Sequence, residues 1–162
     1  MKGLFVTGTD TGVGKTVAAA ALLQRYRGVA ALRYWKPIQT GIEVDDDTAT
    51  VRRLGAAAGQ EIFEEGVRLE KPVSPHLAAR WGLCTINHTL LTLEALQTRW
   101  LRVAGVLMIG EPNAENRAAI EQYGRVPVIA EMPVLAPLDA GLLGAWSGKH
   151  LDPQGRLLEF LR

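Results

Sequence analysis

A glycine-rich stretch near the amino terminus constrains this chain more than any other feature. Residues 8–16 read GTDTGVGKT, and they lie between a short apolar run at 4–7 and a helix-forming stretch that begins at Lys15. A strand, a glycine-rich turn and a helix in this order are the usual context of a phosphate-binding loop. Backbone N–H groups of such a loop and the positive end of the helix dipole both favour anionic oxygens. The sequence therefore predicts nucleotide binding here.

Individual residues of this loop have separate expected roles. Gly14 lets the backbone approach a phosphate closely because it has no side chain. Lys15 is expected beside the β- and γ-phosphates, and the Thr16 hydroxyl is expected to bind Mg²⁺. The general pattern G-x4-G-K-[ST] is not fully met, since Thr9 stands at its first glycine and Gly8 lies one step earlier. A plain glycine-rich turn at the start of a helix is the alternative interpretation.

Apolar runs of strand length alternate with helical stretches along the chain. This βαβ rhythm predicts an α/β, P-loop NTPase-like fold: a single domain over residues 1–162 whose mostly parallel sheet has helices on both faces. Only four strands are predicted, at 4–7, 29–34, 103–109 and 127–130. The predicted helices run over 15–26 and 48–58, follow caps at Ser74, Asn87 and Asn113, and open at Asp152 towards residue 161.

Composition excludes several classes of protein. A net charge of +1 with 48% hydrophobic and 22% charged residues is typical of a soluble globular protein, and it predicts neither a nucleic-acid nor a membrane partner. Cys84 is the only cysteine, so no internal disulfide can form, which favours the cytoplasm. The histidines, His76, His88 and His150, lack the spacing of a zinc site. We see no signal-peptide pattern at the amino terminus.

Two further polar features could belong to the same site. Lys36 follows the second predicted strand, at the sheet edge where α/β proteins bind ligands. It could neutralise a transferred phosphoryl group, although a strand-end lysine is more often a solvated surface charge. The acidic residues Glu43 and 45–47 form either a solvated connection or a source of a Mg²⁺ ligand.

Several ordered motifs give the chain a family resemblance. They are TGTDTGVGKT at 7–16, KPIQTG at 36–41, SPH at 74–76 and TINHT at 85–89. Further similar segments are EPN at 111–113, ENR at 115–117, MP at 132–133 and PLD at 137–139. Together they cover nearly the whole chain, and the chain resembles the dethiobiotin synthetases.

This resemblance implies a reaction and its reactants. The family uses ATP with Mg²⁺ to convert 7,8-diaminononanoate and CO₂ or bicarbonate into dethiobiotin, by closing a ureido ring in biotin biosynthesis. It implies catalytic roles for Lys15 and Lys36, which would stabilise a carbamate and the transferred phosphoryl group. Thr16 and Asp47 match the Mg²⁺ ligands of the family.

The resemblance also assigns binding residues. The implied nucleotide-binding residues are Gly12, Val13, Gly14, Lys15, Thr16 and Val134. The implied substrate-binding residues are Thr11, Thr40, Thr85, Ile86 and Asn87. In the family the last three belong to the partner subunit, so the resemblance implies a homodimer.

The sequence departs from the family pattern most strongly between Trp81 and Gly82, where a stretch with a strand, a helix and another strand is missing. The missing part contains a third Mg²⁺ ligand, a glutamate, and strands that are central in the sheet. Ile109 replaces an asparagine that reads the adenine ring, and Cys84 replaces a glycine. Three hypotheses follow: an active synthetase, a nucleotide-binding remnant without turnover, and a related P-loop ATPase.

Overall fold

The computed structural model describes residues 3–10, 12–40, 42, 45–69 and 85–161. Within these residues the helices are α1 (Lys15–Tyr26), α2 (Asp47–Leu54), α3 (Thr85–Gln97), α4 (Ala114–Gly124), α5 (Ala140–His150) and α6 (Leu158–Leu161). The strands are β1 (Tyr34–Trp35), β2 (Ile38–Thr40), β3 (Ile62–Phe63), β4 (Val67–Leu69), β5 (Val106–Ile109) and β6 (Val128–Met132). A 3₁₀ turn, Gly59–Glu61, precedes β3.

All the described strand pairs are parallel. β1 pairs with β3, β2 with β4, and β5 with β6. Parallel neighbours need a long crossover connection, and α4 supplies it between β5 and β6. The predicted α/β class with parallel strands is therefore confirmed. Among the described residues, however, the strands form three separate two-stranded sheets.

The chain divides into two compact units. The first contains residues 1–15, 81–136 and 150–162, and the second contains residues 16–80 and 137–149. The single domain expected from the sequence stays a prediction.

The alanine-rich helix α1 packs deep inside the second unit. Ala20 and Ala21 are fully buried, and alanine is both the best helix former and small enough for close neighbours. The Gln24 amide donates hydrogen bonds to the backbone oxygens of Leu54 at 2.5 Å and Ala140 at 2.8 Å. This one side chain thereby ties α1 to the end of α2 and the start of α5.

The first unit is built on the β5–β6 pair and on helices α3 and α4. Its core contains Leu93, Ile120, Val126 and Val128. The predicted helix cap at Asn113 is confirmed, since its side chain accepts from the backbone N–H of Asn116 at 2.9 Å. The packing of α3, α4 and β6 around one apolar cluster stabilises this unit.

The strand predicted at residues 4–7 is wrong. These residues form no strand in the structure, and they pair with none of the described strands. The Phe5 side chain is 89% exposed. A strand needs a neighbour for its backbone hydrogen bonds, and a strand-like sequence without one stays irregular.

The element that follows α1 also differs from the prediction. Of the strand predicted at 29–34, only Tyr34 is in β1. The N–H groups of Val29 and Ala30 instead donate to the backbone oxygen of Tyr26, at 3.0 and 3.1 Å. Gly28 has a φ of +77°, which suits the turn that ends α1. Val29 and Ala30, which were expected in the strand, therefore belong to the turn that ends α1.

The predicted helix at 48–58 is shorter in the structure. It ends as α2 at Leu54, where the N–H of Gly55 donates to the backbone oxygen of Val51 at 2.8 Å. Ala56 then has a φ of +46°, a left-handed conformation that cannot continue a helix.

Other boundaries were also wrong. Asn87 is not a helix cap, because α3 already begins at Thr85. Asp152 does not open a helix: its carboxylate accepts from the N–H groups of Arg156 at 3.0 Å and Leu157 at 2.8 Å, which stabilises a turn, and α6 begins after it. The predicted strand at 103–109 is shorter, as β5, and half-buried rather than buried on both faces. Helix α5 and strands β2, β3 and β4 were not predicted, and the cap at Ser74 lies outside the described residues.

Candidate nucleotide and magnesium site

The predicted phosphate loop contains two glycines in conformations that other residues rarely adopt. Gly12 has a φ of +73° and Gly14 a φ of +91°. A Cβ atom on Gly14 would lie 2.5 Å from Cδ1 of Ile109, the last residue of β5. The backbone conformation therefore favours glycine at position 14, and any larger residue there would also have to displace the end of the Ile109 side chain.

The Lys15 side chain folds back onto this loop. Its ammonium group donates a hydrogen bond of 2.5 Å to the backbone oxygen of Asp10. A Cβ atom on Gly8 would lie 3.0 Å from Cγ of Lys15, so glycine leaves room for the lysine stem. A charged phosphate oxygen is a stronger acceptor than a neutral amide oxygen. This conformation is compatible with an ammonium that turns to a phosphate when one binds.

The second unit brings together three residues that were predicted to belong to the site. The Thr16 hydroxyl donates to one carboxylate oxygen of Asp47, and the Lys36 ammonium donates to the other. Thr16 lies in the first turn of α1, Lys36 directly follows β1, and Asp47 begins α2. The side chains of Lys36 and Asp47 are 33% and 19% exposed. Water therefore screens this ion pair less than it screens a fully exposed pair.

The donor atoms of Thr16 and Asp47 fit a magnesium ion. Mg²⁺ prefers oxygen ligands, and it usually takes one or two carboxylates from the protein with waters and substrate phosphates. The two Asp47 oxygens allow this carboxylate to serve Lys36 and a cation together. No group of three or more histidine, cysteine, aspartate or glutamate side chains that could hold a metal is found among the described residues.

Asp46 lies beside this cluster in an environment that stabilises its charge. Burial by itself would raise the pKa of Asp46, but hydrogen bonds from the N–H of Ala49 and the amide of Gln39 lower it, as does the guanidinium of Arg68. The net result is a pKa below the usual value of aspartate. Asp46 is therefore an anion with its own partners.

The pKa of Tyr34 is shifted upward, in the opposite direction from the pKa of Asp46. Burial raises the pKa of Tyr34 to about 12, and the negative charges of Asp47 and Asp46 add to this increase. The phenol therefore stays neutral beside the cluster and does not add a third negative charge.

The structure describes the other predicted site residues to different extents. Thr11 lies outside the described residues. Thr40 lies in β2, and residues 85–87 form the first turn of α3. Val134 follows β6 and is 73% exposed, so it is accessible to a ligand.

Two polar residues next to the site were not predicted to have a role. They are Gln39 and Arg68, which donate hydrogen bonds of 2.9 and 2.5 Å to the carboxylate of Asp46. Asp46 itself was predicted only as a member of the acidic run. An aspartate before a helical stretch is a common cap, so the sequence contained a signal for Asp46. It contained none for Gln39 or Arg68, which approach Asp46 from two different strands.

Within the part of the chain that the structure describes, no helix combines the length and the apolar character needed to cross a bilayer.

Sequence comparisons give consistent matches over most of the chain. The AAA domain family model matches residues 2–83 and, in a second piece, residues 77–141. The chain is 36% identical over 212 positions to the biotin biosynthesis bifunctional protein BioCD of Bordetella avium, covering 97% of this chain and 44% of that protein. It is 35% identical over 192 positions to the ATP-dependent dethiobiotin synthetase BioD of Bradyrhizobium diazoefficiens, covering 85% and 89%. With BioD of Rhodopseudomonas palustris the identity is 36%, covering 89% and 91%.

The alignments also show an internal gap in this chain. The alignment with the Bordetella protein has 212 positions, whereas 97% of 162 residues is about 157, so about 55 of its positions have no residue here. The Bradyrhizobium alignment has 192 positions against about 138 residues of this chain, which leaves about 54. The two pieces of the family match meet at residues 77–83, which include the predicted junction between Trp81 and Gly82.

A missing segment at this junction agrees with the low number of strands expected from the sequence, and the phosphate loop and the Thr16–Lys36–Asp47 cluster, which both precede the junction in the chain, are retained. Each of these two BioD alignments covers at least 85% of both proteins, at 35% or 36% identity. The chain is an α/β P-loop protein, and it belongs to the family of the ATP-dependent dethiobiotin synthetases, ligases that form carbon–nitrogen bonds.

Proposed function

We propose that this chain catalyses the ATP- and Mg²⁺-dependent closure of the ureido ring of 7,8-diaminononanoate, giving dethiobiotin. One structural observation carries the proposal: Thr16 and Lys36 both bind the Asp47 carboxylate. This contact joins a predicted cation ligand of the phosphate loop, a predicted phosphoryl-stabilising lysine and a second cation ligand. The family membership supplies the substrate class.

The reaction has three bond-forming steps. One amine of the substrate attacks CO₂ and loses a proton, which gives a carbamate. A carbamate oxygen then attacks the γ-phosphorus of ATP, and ADP leaves. The second amine attacks the carbonyl carbon of this mixed anhydride, loses a proton and expels phosphate, which closes a five-membered cyclic urea.

The protein contributes positioning and charge, since phosphoryl transfer asks for little covalent chemistry. Lys15 and Lys36 would stabilise the negative charge on the carbamate and on the transferred phosphoryl group. Thr16 and Asp47 would hold Mg²⁺, which supplies further charge neutralisation when it is bound. Residues 12–16 and Val134 would bind the nucleotide.

The substrate would be held by residues from two subunits. Thr11 and Thr40 would hydrogen-bond the diamine end, and residues 85–87 of a partner copy would receive the carboxylate at the start of its α3. A helix N-terminus suits this role because its free N–H groups bind anions. The proposal therefore includes a homodimer, and the lone Cys84 suits a reducing cytoplasm.

A nucleotide-binding protein without turnover is the alternative, and the missing segment of about 55 residues is the reason to test it. The segment would contain a third Mg²⁺ ligand, and the described residues contain no group of three or more histidine, cysteine, aspartate or glutamate side chains that could hold a metal. The matches to named dethiobiotin synthetases favour the synthetase over a related P-loop ATPase.

Turnover of the purified chain tests the proposal. The protein is incubated with 7,8-diaminononanoate, bicarbonate and Mg·ATP, and dethiobiotin is measured by mass spectrometry. We expect product, and we expect Lys15→Ala to lower kcat about 100-fold or more, because it removes a group that binds transition-state charge. Lys149→Ala is the matched control, since this lysine lies on the exposed surface of α5. A folded protein without product would leave the nucleotide-binding alternative.

A further inference from the structure

The acidic run at residues 45–47 presents a choice among three adjacent carboxylates. Asp45, Asp46 and Asp47 are identical in chemistry, and each could bind a cation or pair with Lys36. In the structure only Asp47 contacts Thr16 and Lys36, while Asp45 is exposed. Something other than residue type therefore decides which carboxylate enters the cluster.

Gln39 is placed to make this choice. It lies in β2 and is 2% exposed. Its Nε2 donates to Oδ1 of Asp46 at 2.9 Å, and its Oε1 accepts from the Thr48 hydroxyl at 3.0 Å. A carboxylate can only accept, so the amide nitrogen must face Asp46 and the amide oxygen must face Thr48. A buried amide with both ends bound in this way has one orientation.

Asp46 is held from three sides. Its Oδ1 also accepts from the N–H of Ala49 at 3.0 Å, so Asp46 is the N-cap of α2. Its Oδ2 accepts from the Arg68 guanidinium at 2.5 Å. With both oxygens engaged and its charge matched by Arg68, Asp46 is withdrawn from competition for Lys36 or a cation.

The cap at Asp46 fixes the position of Asp47 in the helix. Because Asp46 caps α2, Asp47 is the first residue of that helix, and the helix start sets the direction of its side chain. We propose that Gln39, together with Asp46, is a positioning residue that selects Asp47 as the carboxylate of the magnesium site. This inference rests on the proposed function, since it concerns the cation ligand assigned there.

Binding of a manganese nucleotide tests the inference without requiring turnover. Mn²⁺ is titrated in the presence of a non-hydrolysable ATP analogue, and free Mn²⁺ is measured by electron paramagnetic resonance. We expect Gln39→Leu to weaken binding about 10-fold, the usual effect of losing a group that orients a metal ligand. Thr48→Val, which frees only one end of the amide, should weaken it less. Glu61→Gln is the control, because it breaks an ion pair of the same unit that contacts none of these residues.

Two isosteric variants separate the roles of the neighbouring aspartates. Asp47→Asn should abolish manganese-dependent binding. Asp46→Asn keeps a capping oxygen and should weaken binding about 10-fold, in parallel with Gln39→Leu. Unchanged binding in Gln39→Leu, with binding lost in Asp47→Asn, would overturn the positioning role and leave the proposed function intact. Unchanged binding in Asp47→Asn would overturn both.

Discussion

The exposed ring of Phe5 allows a sharp test of what the missing segment does. Residues 4–7 read LFVT, a strand-like run that pairs with none of the described strands, and Phe5 is 89% exposed. About 55 positions of the alignment with the Bordetella protein have no residue in this chain, and the two pieces of the family match overlap at residues 77–83. We expect that inserting the corresponding segment of the Bradyrhizobium protein between Trp81 and Gly82 gives residues 4–7 a neighbour and buries Phe5.

The size of the effect follows from the exposure. Phe5→Ala in the present chain removes a ring that is almost fully in water, so it should change the free energy of unfolding by no more than about 0.5 kcal/mol. In the restored chain the same substitution removes a buried ring, which costs about 3–5 kcal/mol. For a chain of this size that loss lowers Tm by roughly 6 °C or more.

Urea unfolding followed by tryptophan fluorescence gives the free energy of unfolding of four proteins. They are the present chain and the restored chain, each with phenylalanine or alanine at position 5. Tyr123→Ala is the matched control, because this aromatic ring of the same unit is 67% exposed on α4. It should have a small effect in both chains. If the restored chain unfolds cooperatively and Phe5→Ala costs equally little in both, the reasoning about the missing neighbour is refuted.

Two further predictions concern the phosphate loop and the acid stability of the second unit. Gly14→Ala should lower the free energy of unfolding by about 1–2 kcal/mol, because φ at this residue is +91°, and it should also abolish nucleotide binding. Adding Ile109→Val should recover only the part of the stability loss that comes from the side-chain contact. Thermal melts measure the stability, and calorimetry measures nucleotide binding. Arg27 lowers the pKa of Glu61 through a hydrogen bond and its charge, against the effect of burial. The stabilisation by this pair is therefore present above the ordinary pKa of glutamate and is lost as the pH falls through the lowered value. The stability difference between the wild type and Glu61→Gln, at most about 1 kcal/mol for this partly exposed pair, should vanish in urea titrations at acidic pH; a difference that grows on acidification would contradict the assignment.

Features that depend on neighbours in sequence were predictable. The bounds of α1 follow from the glycine-rich turn before it and the alanines within it, and the cap of α4 follows from Asn113. Both depend on hydrogen bonds within a few residues, so no distant partner is needed to specify them. The family motifs likewise predicted roles for Thr16, Lys36 and Asp47; the structure brings these residues into contact, and their roles stay predictions.

Features that depend on distant partners were not predictable. The run at 4–7 is strand-like in composition, yet it stays irregular because strand formation requires a paired neighbour. The run at 29–34 lost most of its strand to the turn that ends α1. In both cases the local pattern allowed a strand, but 4–7 has no paired neighbour among the described strands, and at 29–34 the turn at the end of α1 uses backbone N–H groups.

The sequence by itself determined a phosphate loop and an alanine-rich helix behind it, because these depend on short-range spacing. The family resemblance selected Asp47 among three consecutive aspartates, but only the tertiary structure shows why this carboxylate, and not its neighbours, binds Thr16 and Lys36. Gln39 from β2 and Arg68 from β4 hold Asp46, and Asp47 is left to bind Thr16 and Lys36. Three identical side chains differ only in their surroundings, and residues far apart in the chain create those surroundings.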